Sequence, residues 1–269
     1  MKKNRVIPVL LLKNGWLVQS RGFSQYNNIG NPVTSVKRLS QWASDELIFL
    51  DITRDDNYDL RRDDQGYENR KDFIEIIQDV ARVTFMPLTV GGRVRSLNDM
   101  EKRLQIGADK VALNTGAFEF PQMISEAAVE FGSQCIVISI DVMAKGNGYE
   151  VYVEGGRKAT GMQAVEWCRR VESSGAGEIL INSIDRDGAG TGYDLPLLQS
   201  VSDAVSIPVI ACGGVGEWAH FTEALQKTNV DAVAAANIFH HTDQSVFYAK
   251  KMLTEQNLNV RPPDIIRII

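Results

Sequence analysis

Thr89-Val90-Gly91-Gly92-Arg93-Val94 and Ala211-Cys212-Gly213-Gly214-Val215-Gly216 are the two stretches that decide the fold. Each ends a short apolar run on paired glycines. Runs of this kind recur at 5–12, 46–52, 86–90, 110–113, 135–141, 178–182, 208–211 and 232–235. Segments this apolar suit strands covered on both faces, as in a parallel sheet. Amphipathic stretches lie between them. The segment 71–83 sets Phe73, Ile76, Ile77 and Val80 at helical spacing, and 162–171 and 221–226 read similarly. Strand alternating with helix implies right-handed βαβ units. Eight units in 269 residues predict one α/β domain over 1–269, a (β/α)8 TIM barrel. A doubly wound sheet is the alternative, but no Gly-x-Gly-x-x-Gly follows Leu12.

The glycine pairs are one echo among several. Asp51-Ile52-Thr53-Arg54-Asp55 resembles Ser183-Ile184-Asp185-Arg186-Asp187, and Asn114-Thr115 matches Ala236-Asn237. The separations are about 120 to 135 residues, so the barrel reads as two similar half-barrels. Two segments depart from the alternation. The segment 53–70 is long and charged, with Arg61-Arg62-Asp63-Asp64. It reads as a solvated loop after strand two, or as a lid or partner contact on the face where barrels keep their chemistry. The segment 145–160 carries Gly146-Asn147-Gly148 and Gly155-Gly156, which predicts a small β-hairpin after strand five.

Composition removes several classes of function. The chain is 44% hydrophobic and 23% charged with net charge −5, which excludes disorder and the basic footprint of a nucleic-acid binder. Cys135, Cys168 and Cys212 form no C-x-x-C, and His220, His240 and His241 show no ligand spacing, so neither a metal nor another cofactor is expected. Met1-Lys2-Lys3-Asn4-Arg5 before an apolar run imitates a signal peptide, but the run is short and no cleavage site follows. No apolar run approaches the roughly 20 residues of a membrane span. A cytoplasmic chain without membrane partners is expected.

Glycines just past a strand let backbone N–H groups approach an anion. Gly91, Gly92, Asn114 and Thr115 therefore form a candidate phosphate seat in the first half. Asp187, Gly188, Gly213, Gly214, Ala236 and Asn237 form its counterpart in the second. Arg93 either supplies charge to the first seat or blocks it. With no counterpart for Arg93 in the second half, the second seat is expected to fill first with a phosphorylated small molecule.

Further motifs carry a resemblance: Arg5-Val6-Ile7-Pro8, Glu46-Leu47-Ile48-Phe49-Leu50-Asp51-Ile52-Thr53, Pro87-Leu88-Thr89-Val90-Gly91-Gly92, Gly107-Ala108-Asp109-Lys110-Val111, Phe131-Gly132-Ser133-Gln134-Cys135 and Asp185-Arg186-Asp187-Gly188. Over nearly the whole chain these resemble the cyclase subunit of imidazole glycerol phosphate synthase. The resemblance implies a half-barrel duplication and a glutaminase subunit docked as a heterodimer on the lower face. It implies ammonia crossing the barrel interior to two aspartates at the upper face, with two phosphate sites for a bis-phosphate substrate. It also implies a charged ring gating the channel, here Arg5, Glu46, Lys110 and Glu178, and a glutaminase contact at Asp109. Charges that enter a barrel floor need partners, and two of each sign can neutralise one another.

The catalytic pair departs from the pattern. Asp141 ends strand five as the family requires, but Leu11 stands where strand one should end in aspartate, and Gln19 replaces a lysine. Leucine cannot exchange protons, and losing a general acid–base group costs about 10² to 10⁴-fold. In this the chain resembles divergent paralogues of surface-polysaccharide gene sets. There a glutaminase and a barrel subunit are implied to pass ammonia to a third enzyme, which activates and amidinates an acetamido sugar. The expectation is a barrel subunit of a glutamine-dependent amidotransferase complex. The alternatives are a true cyclase of histidine biosynthesis, a lyase using Asp141 with a substitute acid, and a scaffold that binds glutaminase without conducting ammonia.

Overall fold

The computed structural model describes residues 3–55, 57–59, 70, 72–240 and 245–263. Most of the charged 53–70 segment, including Arg61-Arg62-Asp63-Asp64, lies outside the described residues, as does His241. The strands in chain order are β1 (Arg5–Lys13), β2 (Trp16–Arg21), β3 (Gln25–Gly30), β4 (Leu47–Asp51), β5 (Leu88–Gly91), β6 (Lys110–Leu113), β7 (Ile136–Lys145), β8 (Gly148–Val153), β9 (Lys158–Gln163), β10 (Glu178–Ser183), β11 (Val209–Cys212) and β12 (Ala232–Ala235). Parallel pairing runs β1-β4-β5-β6-β7 and β10-β11-β12-β1, and the β7–β10 ladder from Glu178↔Val137 to Ser183↔Val142 closes the ring. The chain is a closed (β/α)8 barrel, as the alternation of apolar runs and amphipathic stretches predicts.

The helices are α1 (Pro32–Gln41), α2 (Phe73–Ala81), α3 (Leu97–Gln105), α4 (Thr115–Glu119), α5 (Gln122–Phe131), α6 (Ala164–Ser173), α7 (Leu195–Ser202), α8 (Ala219–Lys227) and α9 (Val246–Glu255). The expected 71–83 helix is α2. Asp72 caps it by accepting the Glu75 N–H at 3.0 Å, and Phe73, Ile76, Ile77 and Val80 are its buried face.

The first strand is the one apolar run that no helix-like pattern follows directly. β1 instead runs on into the antiparallel strands β2 and β3, with Leu11 opposite Val18 and Gln19 opposite Asn27. β7 does the same with β8 and β9, where the 145–160 hairpin is expected, with Asp141 opposite Tyr152. Each half-barrel thus opens on a long strand that folds back over the mouth.

Register also corrects the glycine alignment. Leu11 pairs with Leu50 and Leu50 with Gly91; Asp141 pairs with Asn182 and Asn182 with Cys212. With Leu11 and Asp141 as equivalents, Gly91 matches Cys212, Gly92 matches Gly213, and Arg93 matches Gly214. Backbone angles agree: φ is 106° at Gly92 and 53° at Arg93, against 93° at Gly213 and 102° at Gly214. The ladder hydrogen bonds, not the glycine doublet, set the correspondence. Arg93 does have a second-half counterpart, and it holds a left-handed position that glycine fills there.

The core has two layers. Ile7, Val9, Ile48, Val137, Leu180 and Ile210 pack along the barrel axis with alanines, and Leu11 and Leu50 lie over them. Outside the strands, the helices bury a larger apolar layer. Within it Phe221 of α8 is fully buried and stacks on Trp218 (5.9 Å) and Phe239 (5.8 Å). No helix of the described residues is long and apolar enough to cross a membrane. Phe221→Ala removes a ring from the middle of this stack. A loss of about 3–5 kcal/mol is expected, read as the shift in the urea midpoint. A change below 1 kcal/mol would mean that the stack is not part of the cooperative core.

Candidate functional site

The floor of the barrel assembles four charges: Arg5, Lys110 and Glu178 at the first residues of β1, β6 and β10, and Glu46 just before β4. Arg5 Nη1 donates to Glu46 Oε2 at 2.6 Å, and Arg5 Nη2 bonds Glu178 Oε1. Lys110 Nζ donates to Glu46 Oε1 at 2.8 Å and to Glu178 Oε2 at 2.9 Å. Each carboxylate therefore receives both cations. The Thr89 hydroxyl adds a 2.9 Å bond to Glu46. The glutamate side chains are only 3% and 6% exposed, so this pairing is what permits their charge. Burial alone would lower Arg5 and Lys110, but Glu178 and Glu46 outweigh it and raise both above their ordinary values.

Asp109 lies exposed on the same floor. Its carboxylate accepts the Leu88 N–H at 2.8 Å, and its own N–H donates to the Leu88 carbonyl at 2.8 Å. Asp231 repeats both bonds with Val209 in the second half, each at 3.0 Å. These aspartates clamp the entry of β5 and β11 whatever else docks beside them.

At the opposite end a cavity of about 390 Å³ opens at the strand C-termini. Leu11, Leu50, Asn114, Asp141, Asn182 and Cys212 are among its lining residues. β1 and β7 are four strands apart in a ring of eight, so Leu11 and Asp141 face each other across the mouth. Asp141 is buried, and desolvation pushes its carboxyl up to about 7, against hydrogen bonds from Asn114 (Nδ2 at 2.8 Å) and Asn182 and with the Asp187 charge adding to the rise. It is thus poised to hold or release a proton near neutrality. Burial pushes the Cys212 thiol up to about 12, so it stays neutral.

All of the residues read as phosphate seats line this cavity except Gly91. Gly91 is inside β5, where a Cβ would meet the Leu50 and Ala112 side chains. A trio missed by the sequence reading borders the first-half seat. Arg93 Nη2 bonds Asp51 at 2.8 Å, Nη1 donates to the Asp55 carbonyl at 3.0 Å, and the guanidinium lies 5.6 Å from the Tyr58 ring centre. The Tyr58 hydroxyl donates to Asp51 at 3.1 Å, and burial with the Asp51 charge raises its pKa. The only signal in the sequence is an aspartate at a barrel strand's C-terminal end, a position that reads as functional.

The hairpins also reach the seats. Ser20, in β2, and Phe23, in the β2–β3 turn, bond Asp187, and Asn237 Nδ2 donates to the Ser20 carbonyl at 2.9 Å. Glu154, after β8, donates its N–H to the Thr115 hydroxyl at 2.9 Å. Among the described residues no group of His, Cys, Asp and Glu could hold a metal ion. A family model described as Histidine biosynthesis protein matches residues 5–245, which include all eight barrel strands.

A carboxyl raised by burial keeps a proton that the unfolded chain has already lost, so it costs stability as pH rises from about 4 to about 7. Asp141→Asn, which is neutral throughout, should match the parent near pH 4. By pH 8 it should exceed the parent by about 2–4 kcal/mol. Melting curves across that range test this, and parallel curves would show that Asp141 ionises at an ordinary pH.

Proposed function

Because the chain belongs to the histidine biosynthesis protein family, we propose that it is the barrel subunit of a glutamine-dependent amidotransferase complex. In this reading a partner glutaminase docks on the floor, around the charged ring and Asp109. Ammonia passes the ring at Arg5, Glu46, Lys110 and Glu178 and travels along the axis to the mouth. There a phosphorylated small molecule sits, and a third enzyme activates the acceptor for amidation or amidination of a surface-polysaccharide sugar. The resemblance to polysaccharide paralogues supports the choice of acceptor.

The observation that carries this reading is the mouth itself. Asp141 has Leu11 across from it rather than a second carboxylate, while the ring and the axial layer are complete. Ring closure moves protons both to and from the substrate, and one carboxyl cannot serve both ends of it. The axial residues Ile7, Ile48, Val137, Leu180 and Ile210 disfavour ions and tolerate neutral ammonia. A second reading, the cyclase itself, is favoured by one fact: Asp141, with its carboxyl raised to about 7, is tuned as a general acid or base.

Ammonium with the bis-phosphate substrate of the cyclase reaction separates the two readings. Turnover at least 10²-fold below a two-aspartate cyclase is expected, about 2.7 kcal/mol of transition-state stabilisation. Activity within tenfold would favour the second reading.

The conduit is tested at Glu46. Glu46→Ala leaves Arg5 and Lys110 with one carboxylate between them, and breaking a buried pair costs about 3–5 kcal/mol. A lower Tm is expected, together with glutamine hydrolysis that outruns the acceptor reaction. If melting and coupling both hold, the ring is a solvated rim and no gate.

A further inference from the structure

β7 places a hydroxyl where the barrel axis is otherwise apolar. Its inward side chains alternate as Val137, Ser139 and Asp141. Val137 belongs to the axial layer, and Ser139 and Asp141 line the mouth cavity. The buried residues of the axial layer that reach the cavity are Val9, Ala112 and Leu180, and Leu180 is the direct partner of Ser139 on β10. Ser139 is only 9% exposed, and among the described residues its hydroxyl makes no hydrogen bond with the protein. A buried hydroxyl without a partner is destabilising, and alanine in its place would avoid the cost. With Leu11 and Asp141 as equivalents, the first half has Val9 at this position, so the hydroxyl stands on the Asp141 side alone.

Asp141 has a want of its own. Asn114 Nδ2 donates to it at 2.8 Å, and Asn182 bonds it as well, but among the described residues no lysine, arginine or histidine pairs with it. A carboxylate offers about four lone-pair sites, so capacity remains after the two asparagines. A buried carboxylate without a cation is costly, and a ligand that brings both a positive charge and N–H donors would relieve it. Spacing limits the size of that ligand. Residues i and i+2 of a strand lie about 6.6 Å apart on one face. Two hydrogen bonds of about 2.9 Å each, end to end, span most of that gap. The space between the Ser139 hydroxyl and the Asp141 carboxyl therefore suits one molecule the size of water or ammonia.

We propose that Ser139 and Asp141 form a seat for one molecule of ammonia, held as ammonium between the hydroxyl oxygen and the carboxylate, where the axis opens into the mouth. It rests on the reading in which ammonia travels up the axis, and it adds the place where the ammonia stops. The arriving nitrogen takes the carboxyl proton of Asp141. The O–H bond breaks, a fourth N–H bond forms, and the product is an ammonium–carboxylate pair. One N–H then donates to Asp141 and another to Ser139 Oγ. The reverse transfer returns the proton to Asp141 and frees the nitrogen lone pair for attack on a bound acceptor. With its carboxyl raised to about 7, Asp141 holds that proton in a share of the molecules near neutrality.

Carbon-13 NMR of the full chain labelled at its aspartate carboxyls tests the seat, with ammonium chloride as the probe. The Asp141 resonance, assigned by its loss in Asp141→Asn, should shift in a saturable way at tens of millimolar ammonium. Sodium chloride and tetramethylammonium chloride at equal ionic strength should not reproduce the shift, because neither cation donates an N–H. Ser139→Ala should weaken the ammonium response at least fivefold. Without ammonium the same variant should melt no lower than the parent, since the hydroxyl it removes has no partner in the protein. An Asp141 resonance indifferent to ammonium, an equal response to sodium or tetramethylammonium, an unchanged response in Ser139→Ala, or a Ser139→Ala chain that melts well below the parent would each overturn the proposal. The titration needs no glutaminase, and the Glu46→Ala coupling experiment needs no added ammonium. A failed seat is therefore separable from a failed conduit.

Discussion

Closure of the barrel at the β7–β10 ladder is the constraint from which the rest follows. It brings the first inward side chains of β1 and β6 and those at the starts of β4 and β10 into one layer, so Arg5, Lys110, Glu46 and Glu178 must share a narrow space. In such a space a single unpaired charge would be costly, and the four together are tolerable only as an alternating ring. A buried ion network seldom stabilises more than apolar side chains of the same volume. A charged floor is therefore a poor device for holding the barrel together. It is a good one for keeping a polar point on an axis that is apolar immediately above.

That contrast recurs up the axis. Above the ring come Ile7, Ile48, Val137, Leu180 and Ile210, and above these the mouth, where Asp141 is buried. Its environment explains its titration: burial removes water, the Asp187 charge adds to the rise, and two asparagines only partly offset it. The same surroundings limit what it can do alone. Proton exchange with a bound group is within reach, but the residue that ends β1 opposite it is Leu11 and not a second carboxyl.

The sequence shows the barrel strands because each is a fully apolar run, and it shows the ring because charge at the head of such a run has few other places to go. It does not show β2 and β3. Gln25-Tyr26-Asn27-Asn28-Ile29-Gly30 is polar and partly exposed, and its strand character comes from pairing with β2, not from an apolar periodicity. The glycine doublets mislead by one residue for a related reason. Gly91 is small to fit under Leu50 and Ala112, whereas Gly213 and Gly214 serve the backbone, so similar letters answer different demands. The trio of Asp51, Tyr58 and Arg93 joins the ends of two strands and a loop, and no local pattern could announce it.

The two hairpins turn a duplicated barrel into an interlocked one. The hairpin of the first half ties to Asp187 and Asn237 of the second, and that of the second half ties to Thr115 of the first. They also meet each other: a Cβ on Gly156 would fall 2.8 Å from the Phe23 ring. The two straps therefore touch each other over the mouth. In such an arrangement a difference between the halves is felt across the whole mouth. Arg93, where the second half has a glycine, adds charge beside one strap only, while the Ser20 carbonyl of the other strap accepts from Asn237. The symmetry inherited from the repeat is thereby broken at Arg93, where one half carries a charge that the other lacks.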